Sequence, residues 1–292
     1  MIKFAAPHTA RHEARIARRG RSLPNSEQGR PKRDRHIVPK TIAGIGRVLL
    51  WSGGSLWIGR DAGRGQAHAH HAIQISLALS GHLRLRSDET GEWSKYTGAI
   101  VLPHRRHQFD GCGESVANIF VEPETPQGRS LLERYGQAPI TNIPSEMIEM
   151  LVAPLRTRFA AKAQNDGLIA ASQRAVALLG GGEHASLSVD PRITRAIEYV
   201  RSRLSAPVTL TDAADVAHLS PSRFRHLFVA QTGISFRAYV LWARVESAVG
   251  ACMEGRSSWT EAALNCGFAD SAHLSRTCRR MFGIAPTMLV RE

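Results

Sequence analysis

The chain has 292 residues, 43% hydrophobic and 22% charged, with a formal net charge of +13. That length accommodates two domains, each with a core of its own, and the charge points to a polyanionic partner. No apolar run reaches the roughly 18 residues that suggest a membrane span, and residues 1–20 are basic without the apolar centre of a secretory leader.

Residues 1–40 carry eleven Lys and Arg against three acids and are rich in Pro, Ser and Gly. With little apolar periodicity they read as a disordered basic arm. Such an arm either adds non-specific DNA affinity or is a plain unstructured extension.

From residue 41 to 125 the texture is β-prone. Runs at 47–51, 55–58, 73–79, 82–86, 99–102 and 115–121 are separated by turn residues, as in a small antiparallel sandwich or barrel. Within it lie His68, His70, Gln74, Gly81, Pro103 and His107. Alternate strand residues face the same side, so His68 and His70 are expected to point inward, with Gln74 in the same parity. Together with His107 they form a candidate effector site, and the three imidazoles a candidate site for Zn²⁺, Fe²⁺ or Ni²⁺. A polar pocket wall and water-facing histidines are the other readings. The spacing resembles the two cupin motifs, HxH–x3–Glu–x6–Gly and a later Pro…His. Gln74 replaces the Glu, and the second motif is short and lacks its glycine. That resemblance implies a divalent metal held inside a barrel.

Residues 126–179 return to helical spacing at 129–135, 146–159 and 168–179, as a cover for the barrel or a dimer contact. Gly180, Gly181 and Gly182 open a linker that runs to residue 189.

Residues 190–292 hold thirteen Arg against nine acids. They contain a repeat: at an offset of 50, Ala213 falls over Ala263, Ser220 over Asp270, Phe224 over Leu274 and Gly233 over Gly283. Ser220 and Asp270 are good N-caps, and Pro221 suits the first helical position. Phe224, Leu227 and Phe228 form a buried stripe that leaves Ser222, Arg225 and His226 outward. In the second copy Leu274 is buried, and Ala272, Ser275 and Arg276 face out, as does Arg279. A helix over 236–253 spans about 27 Å, enough for the two copies to enter successive major grooves.

These residues identify a likeness. Ala213, the 219–228 run, Thr232, Gly233, Tyr239, Arg244, Ala248, Ala263, Gly267, Phe268, His273 to Arg276 and Phe282 to Pro286 resemble the AraC/XylS regulators. Cys278 stands where those proteins carry an aromatic, and Leu289-Val290 where they carry Tyr-Arg. The resemblance implies an α+β protein of two domains, a cupin-like sensor barrel and an all-α tandem helix-turn-helix over 190–292. It implies a transcription regulator, an activator, that binds double-stranded DNA through Ser222, Arg225, His226, Ala272, Ser275 and Arg276. A small-molecule effector, RNA polymerase and a second copy of the chain are the other expected partners. No catalysis is expected, although a metal-dependent cupin enzyme fused to a DNA-binding module is the alternative. The four cysteines (Cys112, Cys252, Cys266, Cys278) have no CxxC spacing. They read as reduced thiols of a cytoplasmic protein, with the last three at buried positions.

Overall fold

The computed structural model describes residues 44–61, 63–87, 89–181 and 189–291. The basic arm of residues 1–40 and most of the linker lie outside the described residues. The described residues belong to one compact unit.

The first part is built from strands β1 (Gly44–Trp51), β2 (Gly54–Asp61), β3 (Ile73–Ala78), β4 (Leu83–Arg86), β5 (Ser94–Tyr96), β6 (Gly98–Val101), β7 (Gln108–Asp110) and β8 (Ser115–Val121). The six β-prone runs all fall within or across these strands. The three-residue β5 and β7 are too short to show a period. Two later strands, β9 (Ile140–Asn142) and β10 (Leu289–Arg291), join them, and among the described residues the strands make two sheets, ordered β10-β1-β2-β8-β3-β6-β9 and β5-β4-β7. They face one another as an open, cupin-like sandwich.

Period-2 alternation sorts the larger sheet into two faces. Leu49, Leu56, Ile75 and Ile119 pack with residues of α1 (Pro126–Tyr135), α2 (Ser145–Ala160) and α3 (Asn165–Gly180). Those helices match the three helical stretches, with β9 (Ile140–Asn142) inserted between α1 and α2 as an edge strand beside β6. The opposite parity, Val48, Trp57 and Phe120, faces the C-terminal helices.

The C-terminal part comprises α4 (Pro191–Ser202), α5 (Leu210–Val216), α6 (Pro221–Thr232), α7 (Phe236–Met253), α8 (Trp259–Asn265) and α9 (Ser271–Phe282). Thr209 and Ser258 start α5 and α8 with the same reciprocal capping box, to Asp212 and Glu261. These caps lie 49 residues apart, so Ala213 matches Ala262 rather than Ala263. The 50-residue offset begins only at Ser220 and Asp270, because Ala269 is an extra residue in the second turn. His218 (φ 54°) and Gly267 (φ 74°) hold the equivalent left-handed position of the two turns.

Two features depart from a self-contained helical domain. The first helix pair closes its own core, with Ile193, Ala213, Phe224, Phe228 and Tyr239. The second does not: Leu274, Cys278 and Phe282 share a core with Val48 and Phe120 of the sheet and with Ala72, just before β3. Its end, after a 3₁₀ turn at Pro286–Met288, becomes strand β10 (Leu289–Arg291), parallel to β1. Leu289-Val290 thus serves as an edge strand, and Val290 remains 38% exposed. Of the cysteines, Cys266 and Cys278 are buried, while Cys252 is only half-buried.

Candidate functional site

The second helix of each pair presents a polar face. Ser220 accepts from the Arg223 N–H (3.4 Å) and Asp270 from the His273 N–H (2.6 Å), which fixes where α6 and α9 begin. Phe224 and Phe228 point inward, and Leu227 is half-buried. Ser222, Arg225 and His226 are exposed on α6; Ala272 and Arg276 are exposed on α9, and Ser275 half so. On α7, Arg244 donates to the Gly267 carbonyl (3.0 Å) and the Ala206 carbonyl (2.9 Å). One guanidinium therefore ties the turn of the second pair to the segment before the first. This accounts for an arginine at that position.

The histidines converge, though not by strand alternation. His68 and His70 precede β3, and an isolated bridge between His68 and His107 joins the two segments. All three rings are buried, and their ligand atoms lie within 4.8 Å of one another. Gln74 joins them: its Oε1 lies 2.9 Å from His70 Nε2 and 3.2 Å from His107 Nε2. Its amide nitrogen donates to Ser76 Oγ (2.8 Å). Burial, and then a neighbouring imidazole, pushes the pKa of each of the three histidines down to about 3, so they are neutral near pH 7.

The cluster adjoins a cavity of about 110 Å³, lined by Trp57, Phe109, Asn118, Phe120, His68 and Gln74 from the sheet domain. Met253, Phe282, Ile284 and Leu289 of the C-terminal part complete the wall. Phe282, the last residue of α9, stacks on Trp57 at 4.6 Å and meets Phe120 edge-on at 5.5 Å. The end of α9 is thus one wall of the cavity.

A second contact between the halves is electrostatic. Arg201 of α4 pairs with Glu122, which follows β8, and with Glu246 of α7 at 3.3 Å. Trp242 Nε1 also donates to Glu122 (3.4 Å), and Arg201 Nε to the Tyr239 hydroxyl (3.3 Å). Burial pushes Glu122 up to about 8 against the pull of Arg201, and raises Glu246 as well. Beside them His71 Nε2 and Glu124 pair at 2.8 Å. Sequence reasoning missed this cluster, since no local spacing links residues 122, 201 and 246.

Comparison with known proteins places the C-terminal part. A family model described as a helix-turn-helix domain matches residues 213–292. The probable transcriptional regulator LumQ of Photobacterium leiognathi is 32% identical over 89 residues, 30% of this chain and 36% of that protein. Residues 213–292 are thus similar to a helix-turn-helix domain found in transcriptional regulators. A likeness of fold reaches well beyond that domain. Apo ToxT from Vibrio cholerae superposes with a TM-score of 0.53 at 12% identity, over 82% of this chain and 97% of that one. A ToxT structure with an unsaturated fatty acid bound gives a TM-score of 0.50 at 14% identity, over 80% and 92%. The transcriptional activator NphR of Rhodococcus sp. is 27% identical over 190 residues, 64% of this chain and 48% of that protein. The chain thus spans between about a third and a half of the length of these curated relatives. Among the described residues no helix is long and apolar enough to cross a membrane.

Proposed function

We propose that the chain is a sequence-specific DNA-binding transcription regulator, answering to a small molecule held between the sheet domain and the AraC-type domain. One observation carries this reading: the second helix-turn-helix exposes Arg276 on α9 while the last residue of that helix, Phe282, walls the cavity. DNA reading falls to Ser222, Arg225 and His226 on α6 and to Ala272, Ser275 and Arg276 on α9, where an arginine fork suits a guanine edge. His68, His70, Gln74 and His107 supply the polar end of the effector site. Its aromatic walls favour a small, mostly apolar molecule, and the fatty acid bound by ToxT supports an effector of that character. A ligand that fits one placement of α9 better than another shifts the population toward it. The protein works in the cytoplasm as a regulator without catalysis, with RNA polymerase as a partner at the promoter. Helices α1 to α3 form the homodimer contact, for which Met150, 55% exposed on α2, is an anchor.

The test begins with selection of bound sites from random-sequence DNA by the full chain. Arg225→Ala should then weaken specific binding roughly 10- to 100-fold and relax preference in one half of the site. Arg276→Ala should do the same about one helical turn away. Arg192→Ala, outside both reading helices, should cause at most a small, sequence-independent loss. Equal losses on specific and random DNA, or no loss in either reading-helix variant, would overturn the assignment.

A further inference from the structure

Two loops of the sheet domain reach the C-terminal ends of both helices that carry the exposed polar faces. One is residues 64–68, ahead of β3; the other is residues 103–107, between β6 and β7. Paired backbone bonds between His68 and His107, both 2.9 Å, tie the loops to each other. The Gln66 N–H then donates to the carbonyl of Gly283, the C-cap of α9, at 2.9 Å. A Cβ at Gly233, the C-cap of α6, would lie 3.4 Å from His104 Nε2. The His104 N–H donates to the His70 carbonyl at 2.8 Å, and its backbone takes a left-handed φ of 61°. That conformation is uncommon outside glycine and persists because the surrounding contacts hold it. It turns Arg105 and Arg106 out to solvent just ahead of the buried His107.

Gln66, Ala67 and Arg106 line one cleft with Arg276, Arg279 and Arg280 of α9. Four arginines from the two parts of the chain thus face one opening. Among the described residues the only ion pair that any of the four makes is Arg106 with Glu89 at 2.9 Å, and those side chains are 59% and 64% exposed. An exposed pair of that kind holds weakly. Guanidinium groups gathered round one opening repel one another, and their forked donors match the oxygens of a phosphate placed between them. Arg276 and Arg279 stand three residues apart, on the face of α9 that also carries Ala272 and Ser275. A helix with its side chains is about 10–12 Å across and fills a major groove about 12 Å wide. A side chain that shares a cleft with the groove-facing side of such a helix therefore stands beside a phosphate strand. The exposure of these arginines suits a phosphodiester chain passing along the surface over an enclosed small anion.

We propose that the 103–107 loop of the sheet domain is part of the DNA interface, with Arg106 and Arg105 binding backbone phosphates beside the half-site read by α9. This placement of the phosphates rests on α9 being a helix that enters the groove. Phosphate contacts fix register without reading bases, so the loop adds affinity for every sequence.

Binding of the full chain to a selected DNA site, and to random DNA, is measured by fluorescence anisotropy from about 50 to 200 mM salt. Arg106→Ala should weaken binding roughly 3- to 10-fold at low salt and lessen the slope of log affinity against log salt by about 1, on both DNAs. Replacing Arg105 as well should lessen the slope by about 2 in all. Lys95→Ala, on the edge strand β5, should leave the slope unchanged. Glu89→Gln frees Arg106 and should not weaken binding; it would mimic Arg106→Ala if that arginine served only to hold its ion pair. Wild-type binding to selected DNA that is indifferent to both arginines would overturn the loop contact and leave the regulator reading intact. A loss on selected DNA alone, with the slope unchanged, would overturn it too. Calorimetric binding of inorganic pyrophosphate that Arg106→Ala abolishes, with an unchanged DNA slope, would assign the cleft to a small anion instead. If the wild-type chain selects no DNA, the regulator reading itself fails, and the loop contact with it.

Discussion

Replacing Arg201 by leucine tests whether charge holds the two halves together. Its guanidinium contacts Glu122 and Glu246, whose side chains are only 4% and 6% exposed. Removing one partner of a buried ion pair costs about 3–5 kcal/mol, because the carboxylates stay behind in a poor solvent. They can escape by taking up protons, which gives the loss a sign in pH. Glu122 already titrates near 8, above the ordinary carboxylate value. A carboxylate raised in the folded state contributes most stability at low pH and loses it as pH rises through the folded pKa. Without Arg201 both carboxylates should rise further, and Glu124, paired with His71, adds to the repulsion. The variant should therefore lose only about 1–2 kcal/mol at pH 5, where the acids can be neutral. At pH 8 the full loss should appear, growing by up to about 1.4 kcal/mol per pH unit for each ionised group. Urea unfolding followed by tryptophan fluorescence, run at both pH values, measures this, since Trp242 donates to Glu122. Adding Glu246→Gln should recover about 2 kcal/mol at pH 8. A loss of equal size at the two pH values, or no loss, would refute the argument.

The neutral burial of His68, His70 and His107 predicts the opposite slope. Their stabilisation is present above about pH 6.5 and is lost as pH falls toward 3, by up to about 1.4 kcal/mol per unit for each ring in chelator-treated protein, as acid titration of the melting temperature should record. Phe282→Ala, which empties the stack on Trp57, should cost about 3–5 kcal/mol and shift the Trp57 emission; an unchanged denaturation midpoint would place Phe282 outside the shared core. Gly283→Ala should destabilise by about 1–3 kcal/mol and raise hydrogen exchange in β10. Its φ is 72° and the new Cβ would fall 2.3 Å from the Gln66 carbonyl oxygen; unchanged exchange would show that α9 and the sheet are not coupled there.

Much of this protein is written in local spacing, and for that reason was legible. Helix starts depend on a cap and the three residues after it, so Ser220 with Pro221, and Asp270, place α6 and α9 without knowledge of anything distant. The apolar period then decides which residues face out, and Arg225, His226 and Arg276 follow. The histidine cluster was legible through a likeness: the spacing of His68, His70, Gln74 and His107 resembles the cupin motifs. Alternation was not the cause, since His68 and His70 lie ahead of β3.

The rest was decided by contacts between residues far apart in the chain. One inserted residue, Ala269, changes the repeat offset from 49 to 50, and only the positions of the caps and turns reveal where. Nothing near Phe282 in sequence names Trp57 as its partner, nor does anything near Glu122 name Arg201. A short C-terminal stretch such as 289–291 has no period of its own and becomes a strand only because β1 offers a free edge. Sequence thus set the elements and their outward faces, because those follow from interactions within about four residues. Tertiary structure set the seam, because a half-formed core and unpaired buried charges are satisfied only by whatever the fold brings against them.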